Sequence, residues 1–254
     1  MELRYRLAVV TGAGGGLGRE IAVALSRAGA AVLSVDVDAS TAEETAELVR
    51  TARVGSWSLQ ADLTEELELQ MVAARARDLG GMDVLVNNAG GWTPGDQQWP
   101  QAPVEHWSRT LDLDLRAPMR LTQLFLEGLA ERRGRRDGSP AVVSIGSSAG
   151  SEPGPYGSPE YAAAKAGLAR FTTSLGDPAV TSGARVMAVV PGWIGLERAE
   201  RQWGVLTAYE RVGLPALIPP ATVTRTVLDL LRNGAAGQVV ELVGERSTGG
   251  KAAT

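Results

Sequence analysis

Tyr161 and Lys165 stand four residues apart in Tyr161-Ala162-Ala163-Ala164-Lys165, so on a helix a phenol and an ammonium share one face, one turn apart. An ammonium beside a phenol favours the phenolate, and a phenol tuned in this way can donate a proton to a carbonyl oxygen or remove one from an alcohol. Taken alone the spacing is common on helix surfaces, so its meaning depends on what surrounds it.

A second group of residues suits a phosphate. Thr11-Gly12-Ala13-Gly14-Gly15-Gly16-Leu17-Gly18 follows a short apolar run and precedes a helical pattern, with the spacing Gly12-x-x-x-Gly16-x-Gly18. Glycines there permit a sharp turn and close backbone approach, and the helix start then offers N–H groups and its positive dipole end to a pyrophosphate. Asp36 closes the next apolar run and can accept hydrogen bonds from ribose hydroxyls, while its charge opposes the extra phosphate of NADP. No Arg or Lys lies inside the glycine turn or directly after Asp36, so NAD is favoured over NADP. The alternative role for Asp36 is to begin a turn with Asp38.

Gly146-Ser147-Ser148-Ala149-Gly150 has the form of a hydrolase nucleophile elbow, which needs a His later in the chain. The only His, His106, precedes it and reads as a surface helix residue, so a hydrolase is disfavoured. Cys is absent, which excludes disulfides and thiolate metal sites; with one His and no acidic calcium loop, no metal is expected. The formal net charge of −4 gives no basic surface for nucleic acid. The one basic run, Arg132, Arg133, Arg135 and Arg136, reads as a solvated helix C-terminus. Neither a signal peptide nor a membrane span is legible, and a cytoplasmic protein without a membrane partner is the expectation.

These groups need a scaffold. Strand-like runs at residues 7–10, 31–35, 56–60, 84–86, 141–145, 186–190 and about 239–243 alternate with helical patterns at 17–27, 41–51, 65–78, 104–131, 159–174 and 221–231. Such alternation predicts an α/β fold: one Rossmann-type, doubly wound parallel sheet of about seven strands, with helices on both faces. No linker or repeat divides residues 1–254, which read as a single domain with substrate loops or lids near 90–103 and 192–220. Pro118 falls inside the 104–131 pattern and should kink it or remove a backbone bond.

Jointly and in order, these motifs resemble the short-chain dehydrogenase/reductase family from about residue 7 to 244. The resemblance rests on the glycine turn, Asp62 in Ala61-Asp62-Leu63, Asn87-Asn88-Ala89-Gly90 after the fourth strand, Ser147 after the fifth, Tyr161-x-x-x-Lys165, and Pro191-Gly192 after the sixth. It implies an NAD-dependent oxidoreductase acting on a carbonyl or secondary alcohol. Tyr161 would be the acid/base, Lys165 would bind the nicotinamide ribose and tune Tyr161, and Ser147 would hydrogen-bond the substrate oxygen. Gly12, Gly14, Gly15, Gly16, Leu17, Gly18 and Asp36 would hold the dinucleotide. Asp62 and Leu63 would flank the adenine, Asn88, Ala89 and Gly90 would line the cleft, and Pro191, Gly192 and Ile194 would meet the nicotinamide end. The Ser-x-x-Gly form selects Ser147, whereas counting back from Tyr161 by the commonest gap selects Ser148; Ser147 is preferred, with one extra residue assigned to the loop between.

Two residues depart from the family pattern. Asp114 stands where an Asn usually helps hold a water linked to the catalytic Lys; its charge would partly offset the field of Lys165 on Tyr161. Leu196 stands where a Thr often bonds the nicotinamide carboxamide. Trp92, Trp99, Tyr156, Trp193, Trp203 and Tyr209 fall in loops around the expected cleft. Their rings suit an apolar, cyclic or aromatic small-molecule substrate or simply pack a lid, with Trp92, Trp193 and Tyr156 the substrate candidates. The resemblance also implies a homodimer or homotetramer. Other outcomes from the same residues are a dinucleotide-binding sensor or scaffold with little turnover, and an isomerase or dehydratase on the same fold.

Overall fold

Short runs of Val, Leu, Ile and Ala form the central strands, buried on both faces, as a parallel sheet between two helical layers requires. In the computed structural model, residues 1–91, 99–132, 139–152, 158–207, 209–211 and 214–245 are described. Among them β1 (Leu7–Thr11), β2 (Ala31–Asp36), β3 (Ser56–Gln60), β4 (Val84–Asn87), β5 (Ala141–Ile145), β6 (Arg185–Pro191) and β7 (Val239–Leu242) make one sheet in the order β3-β2-β1-β4-β5-β6-β7. All six pairings are parallel. The order reverses between β1 and β4, and a crevice at the carboxyl ends of the strands is the ligand position such a switch creates.

Successive side chains of each strand enter opposite layers. Ala8 and Val10 of β1 pack with Leu17, Ile21 and Leu25 of α1 (Gly16–Arg27) and Val223, Val227 and Leu231 of α8 (Pro220–Asn233). Leu7 and Val9 pack with Leu69 and Val72 of α3 (Glu66–Asp78) and Leu121 and Phe125 of α5 (Ala117–Glu131). Between β2 and β3 lies α2 (Ala39–Arg50), capped by the Asp38 carboxylate, which accepts from Ser40 and Thr41 N–H.

The helical pattern at 104–131 is not uniform. It runs as α4 (Val104–Leu111), a π-helical turn at Asp112–Arg116, then α5. Ala117 N–H bonds the Asp112 carbonyl, five residues back. Pro118 has no N–H for the Asp114 carbonyl, so the α-helical ladder is already broken where the turn widens.

The lid expected at 192–220 contains a helix that the sequence pattern does not reveal, α7 (Glu197–Val205). None of its residues is buried and most are charged or polar, so no apolar run announces it. Arg132 corrects another expectation. Rather than being solvated at the end of α5, its guanidinium donates to the carbonyls of Gly128, Gly80 and Met82 and lies 3.8 Å from Asp83. The rest of that basic run, Arg133, Arg135 and Arg136, lies outside the described residues. His106 is exposed on α4. Among the described residues no helix is long and apolar enough to cross a membrane.

Candidate active site

Lys165 sits on α6 (Pro159–Ser174) with its ammonium almost wholly buried. It donates to Asp114 Oδ1 at 3.0 Å and to the Ile145 carbonyl, the last of β5, at 3.1 Å. Its Nζ lies 5.5 Å from the Tyr161 ring centroid, on the turn before. Two of its three donors are thus committed to fixed protein acceptors, which aims the charge beside the phenol.

Asp114 projects from the π-helical turn and has no exposed surface. Its Oδ1 also accepts from Gly91 N–H at 2.9 Å, while Oδ2 is buried without a hydrogen-bond partner. Burial pushes the Asp114 carboxyl up, against the pull of Lys165 and the Gly91 bond. Burial likewise opposes the Lys165 charge, but Asp114, Tyr161 and the Asp114 hydrogen bond outweigh it, and the ammonium is held above the usual lysine range. The direct ion pair takes the position where the resemblance implies a neutral, water-holding amide. Gly90 is required by the close approach: a Cβ there would stand 2.3 Å from Asp114 Oδ1 and 3.0 Å from Lys165 Nζ.

Ser147 follows β5 in an extended conformation, and its hydroxyl accepts from Ala149 N–H at 3.2 Å, capping a 3₁₀ turn at Ser148–Gly150. Gly150 lets this turn lie against α6, since a Cβ there would be 2.4 Å from Ala166 N. The serine loop is thereby held at the level of Lys165. Ser148 Oγ lies 3.9 Å from where a Gly192 Cβ would be.

The glycine turn is braced from β4. Asn88 Nδ2 donates to the carbonyls of Thr11 and Gly12 at 2.9 and 3.1 Å, and Asn88 and Ala89 N–H both donate to the Thr11 hydroxyl at 3.0 Å. Gly12 has φ +61°, and a Cβ on it would stand 2.8 Å from Ala89 Cα; one on Gly18 would stand 2.0 Å from the Gly12 carbonyl oxygen. Leu17 is buried beneath the turn, whereas Gly15 and Gly16 are exposed. Gly15 precedes α1 with no side-chain cap, no acidic residue occupies the first turn of that helix, and nothing lies within 4 Å of a Cβ placed on Gly15. Uncapped N–H groups beside open space fit a pyrophosphate.

Asp36 reaches over this turn from the end of β2. Its Oδ2 accepts from Gly14 N–H at 2.8 Å and its Oδ1 from Asp38 N–H at 3.1 Å, so it joins the glycine turn as well as starting the bend before α2. Asp62 is more committed than expected: Oδ1 accepts from Thr64 N–H and hydroxyl, and Oδ2 pairs with Arg109 at 2.8 Å. Burial opposes its charge, but the Thr64 and Arg109 bonds prevail and hold the carboxyl below the usual range. Leu63 is buried against the α3–α5 layer.

Pro191 ends β6, Gly192 N–H bonds the Leu242 carbonyl, and Ile194 bridges to Ile218, which ties the two ends of the 194–218 segment together. Leu196 lies over the glycine turn, its Cδ1 3.6 Å from where a Gly16 Cβ would stand. Trp193 is 45% exposed and meets Trp203 edge-on, with ring centroids 6.2 Å apart. Trp99 and Trp107 pair separately at 6.4 Å, and Tyr209 is exposed. Trp92 and Tyr156 lie outside the described residues.

Of the residues singled out from the sequence, Asp114, Lys165 and Tyr161 lie side by side, while Ser147 sits on the neighbouring loop that Gly150 packs against α6. Sequence reading missed the Ile145 carbonyl, the Gly91 N–H, the Thr11 hydroxyl and the Leu196 cover. The first two are backbone groups with no side-chain signature; only the glycine and small residues near them hint at close approach.

The family profile described as short chain dehydrogenase matches residues 6–203. A 3-oxoacyl-[acyl-carrier-protein] reductase of Pseudomonas aeruginosa is 30% identical over 99% of this chain and 94% of its own. A cis-4-hydroxycyclohexanecarboxylate dehydrogenase of Sinomonas cyclohexanicum is 37% identical over 74% of this chain and 73% of its own. Among solved structures, a 7α-hydroxysteroid dehydrogenase complexed with NADH and 7-oxo glycochenodeoxycholic acid superposes with a TM-score of 0.82, 25% identity and 96% coverage of both chains. A short-chain type dehydrogenase/reductase from Mycobacterium marinum superposes with a TM-score of 0.84 at 21% identity, covering 97% of each chain.

Proposed function

We propose, for a chain that belongs to the short-chain dehydrogenase/reductase family, NAD-linked interconversion of a secondary alcohol and a ketone on an apolar, cyclic small molecule. The nicotinamide cofactor that oxidoreductases of this family use would supply the hydride acceptor or donor. The observation that carries the reading is the buried Asp114–Lys165 pair with its ammonium 5.5 Å from the Tyr161 ring, at the same carboxyl end of the sheet as the open, uncapped glycine turn.

Gly12, Gly14, Gly15, Gly16, Leu17 and Gly18 would hold the pyrophosphate on backbone N–H groups at the start of α1. Asp36 would accept from the adenosine ribose hydroxyls with the lone pairs not used by Gly14 and Asp38, and its charge disfavours a phosphate there. Leu63, with Asp62, would flank the adenine; Ala89 and Gly90 would wall the cleft; Pro191, Gly192 and Ile194 would meet the nicotinamide end. Lys165 keeps one donor for the nicotinamide ribose. Tyr161 exchanges the proton at the substrate oxygen, and Ser147 releases Ala149 N–H or shares its hydroxyl proton to hold that oxygen in line. Trp193, with Trp92 and Tyr156, would offer the substrate an apolar wall. The relatives that act on a hydroxycyclohexanecarboxylate and bind a 7-oxo bile acid support a ring-bearing substrate. Assembly into a homodimer or homotetramer belongs to the same reading and rests on the family resemblance.

Nicotinamide absorbance with a panel of cyclic and linear ketones, comparing the native chain with Tyr161→Phe, tests the reading. Turnover with NADH should appear on cyclic ketones and fall by a factor of about 10² or more in the variant, the range expected for a general acid. Dinucleotide binding with no Tyr161-dependent turnover would overturn it in favour of a sensor, and small polar alcohols outperforming cyclic ones would overturn the substrate class.

A further inference from the structure

Three turns meet at the amino ends of β1, β2 and β3, across the sheet from the glycine turn. They are residues 4–6 ahead of β1, 28–30 between α1 and β2, and 51–55 between α2 and β3. Backbone bonds tie them together: Tyr5 N–H to the Gly29 carbonyl at 3.2 Å, Ala31 N–H to the Arg6 carbonyl at 2.9 Å, and Val32 N–H to the Gly55 carbonyl at 2.9 Å. They border a cleft of about 890 Å³. At about 3.3 Å per residue the five residues of β1 span about 16 Å, so this cleft is separate from the dinucleotide cleft at the other end of the strands.

Arg4, Arg6, Arg27 and Arg53 line the cleft, and no Asp or Glu does. Arg6 lies 3.9 Å from Asp83. Among the described residues Arg4, Arg27 and Arg53 pair with no carboxylate, in a chain whose net charge is −4. Part of this charge has a structural task. Arg27 ends α1 and Arg53 follows α2, where cations complement the negative end of a helix dipole. The ends of α1, α2 and α3 at this edge amount to about one and a half negative charges between them. Three guanidinia therefore leave a local surplus of positive charge around one cleft.

Two rings share the cleft with these cations. Trp57 folds back over the 51–55 turn, its Cη2 2.5 Å from where a Gly55 Cβ would stand, so a side chain there would push the ring away. Tyr5 is 85% exposed, with Arg4 Cζ 5.6 Å from its ring centroid. Tyr5 and Arg53 also hold φ of +63° and +57°, the left-handed region where glycine is at ease and larger residues are strained. Both are thus kept against backbone preference, and both line the cleft. We infer that the cleft binds a nucleoside phosphate, its base on Tyr5 and Trp57 and its phosphates on Arg4, Arg27 and Arg53. Guanidinium forks match phosphate oxygens, and an aromatic ring stacks on a base whatever its identity. Dipole compensation alone accounts for about half of the charge and for neither ring.

The test is a calorimetric titration of the full chain with ATP in divalent-free buffer, with and without saturating NADH to occupy the glycine turn. Saturable ATP binding should persist with NADH present. Arg4→Gln and Arg53→Gln should each weaken it roughly ten-fold or more, as expected on losing a charge-assisted bond. Both side chains are exposed, so each variant should fold, and circular dichroism checks this. Arg225→Gln, which removes an exposed cation of α8 outside the cleft, should leave the affinity as it was. Adenosine and tripolyphosphate, each carrying one part of the ligand, should both bind more weakly than ATP.

An absence of saturable ATP binding overturns the inference. So does an affinity that Arg225→Gln lowers as much as Arg53→Gln, which would mark a diffuse field of charge in place of a site. Tripolyphosphate binding as tightly as ATP would remove the rings from the site and refute a nucleoside ligand. ATP binding that NADH abolishes and Arg53→Gln leaves unchanged would place the nucleotide in the glycine turn alone, and refutes the cleft. None of these outcomes depends on turnover, so the oxidoreductase reading stands or falls separately.

Discussion

Replacing Asp114 by Asn removes one buried negative charge while preserving shape. The amide oxygen can still accept from Gly91 N–H and Lys165, and the amide nitrogen replaces Oδ2, which has no partner to lose. The carboxylate lies 3.0 Å beyond an ammonium that is itself 5.5 Å from the Tyr161 ring centroid. It is therefore no further than about 8.5 Å from that ring, where a unit charge at an effective dielectric of about 20 opposes a phenolate by about 2 kcal/mol. Tyr161 is half-buried, so solvent lowers this figure.

The sign follows directly. In the native chain Asp114 offsets part of the field that helps the phenol lose its proton. In Asp114→Asn that field acts alone, and kcat/KM for alcohol oxidation at a fixed neutral pH should rise. Lys165 loses the carboxylate that holds it above its ordinary range, leaving burial to act against its charge. An alkaline fall in activity should therefore appear at lower pH than in the native chain. Stopped or continuous assays across a buffered series, with reaction direction fixed, measure both effects. Superimposable profiles, or a lower kcat/KM at neutral pH in the variant, would refute the reasoning.

Three other outcomes follow from the geometry. Asp36→Ala should raise the KM for NAD by roughly ten- to a hundred-fold and narrow the NAD-over-NADP preference, as expected on losing charge-assisted bonds; an unchanged cofactor ratio would remove Asp36 from the ribose site. Gly150→Ala must move the serine loop off α6, because its Cβ would meet backbone rather than a flexible side chain. Thermal denaturation should show a loss of about 1–3 kcal/mol with a fall in kcat, as overpacking predicts, and native stability with native kcat would contradict the packing described. The Asp62 carboxyl is depressed, so its stabilisation is present above the ordinary Asp range and lost as pH falls through its lowered value. Asp62→Asn should flatten the acid limb of the Tm–pH curve, by no more than about 1 kcal/mol because Arg109 is mostly solvent-exposed.

Strands buried on both faces were legible because their apolar runs are continuous, and the order of glycine turn, serine, tyrosine and lysine was legible because side-chain chemistry carries it. What escaped was carried by backbone or by an absence of pattern. The α7 helix has no buried residue and is mostly charged or polar, so no apolar run marked it. The cap that Arg132 makes over Gly80 and Met82 depends on two segments far apart in sequence. Asp114 was seen as a charge near Lys165, but its direct contact depends on a π-helical turn that Pro118 signals only as a break.

That wide turn has a mechanical consequence. Five-residue spacing accommodates one residue more than an ordinary helix would, so α4 and α5 keep their packing faces while the chain between them bulges toward Lys165. Excising a single position from residues 112–116 would let the two helices join into one helix, kinked at Pro118, with their outer contacts intact. The carboxylate would swing off the ammonium, and the sheet would still assemble. A lone extra residue, inserted where a proline had already interrupted the bonding, thus separates what this wall does for folding from what it does for charge.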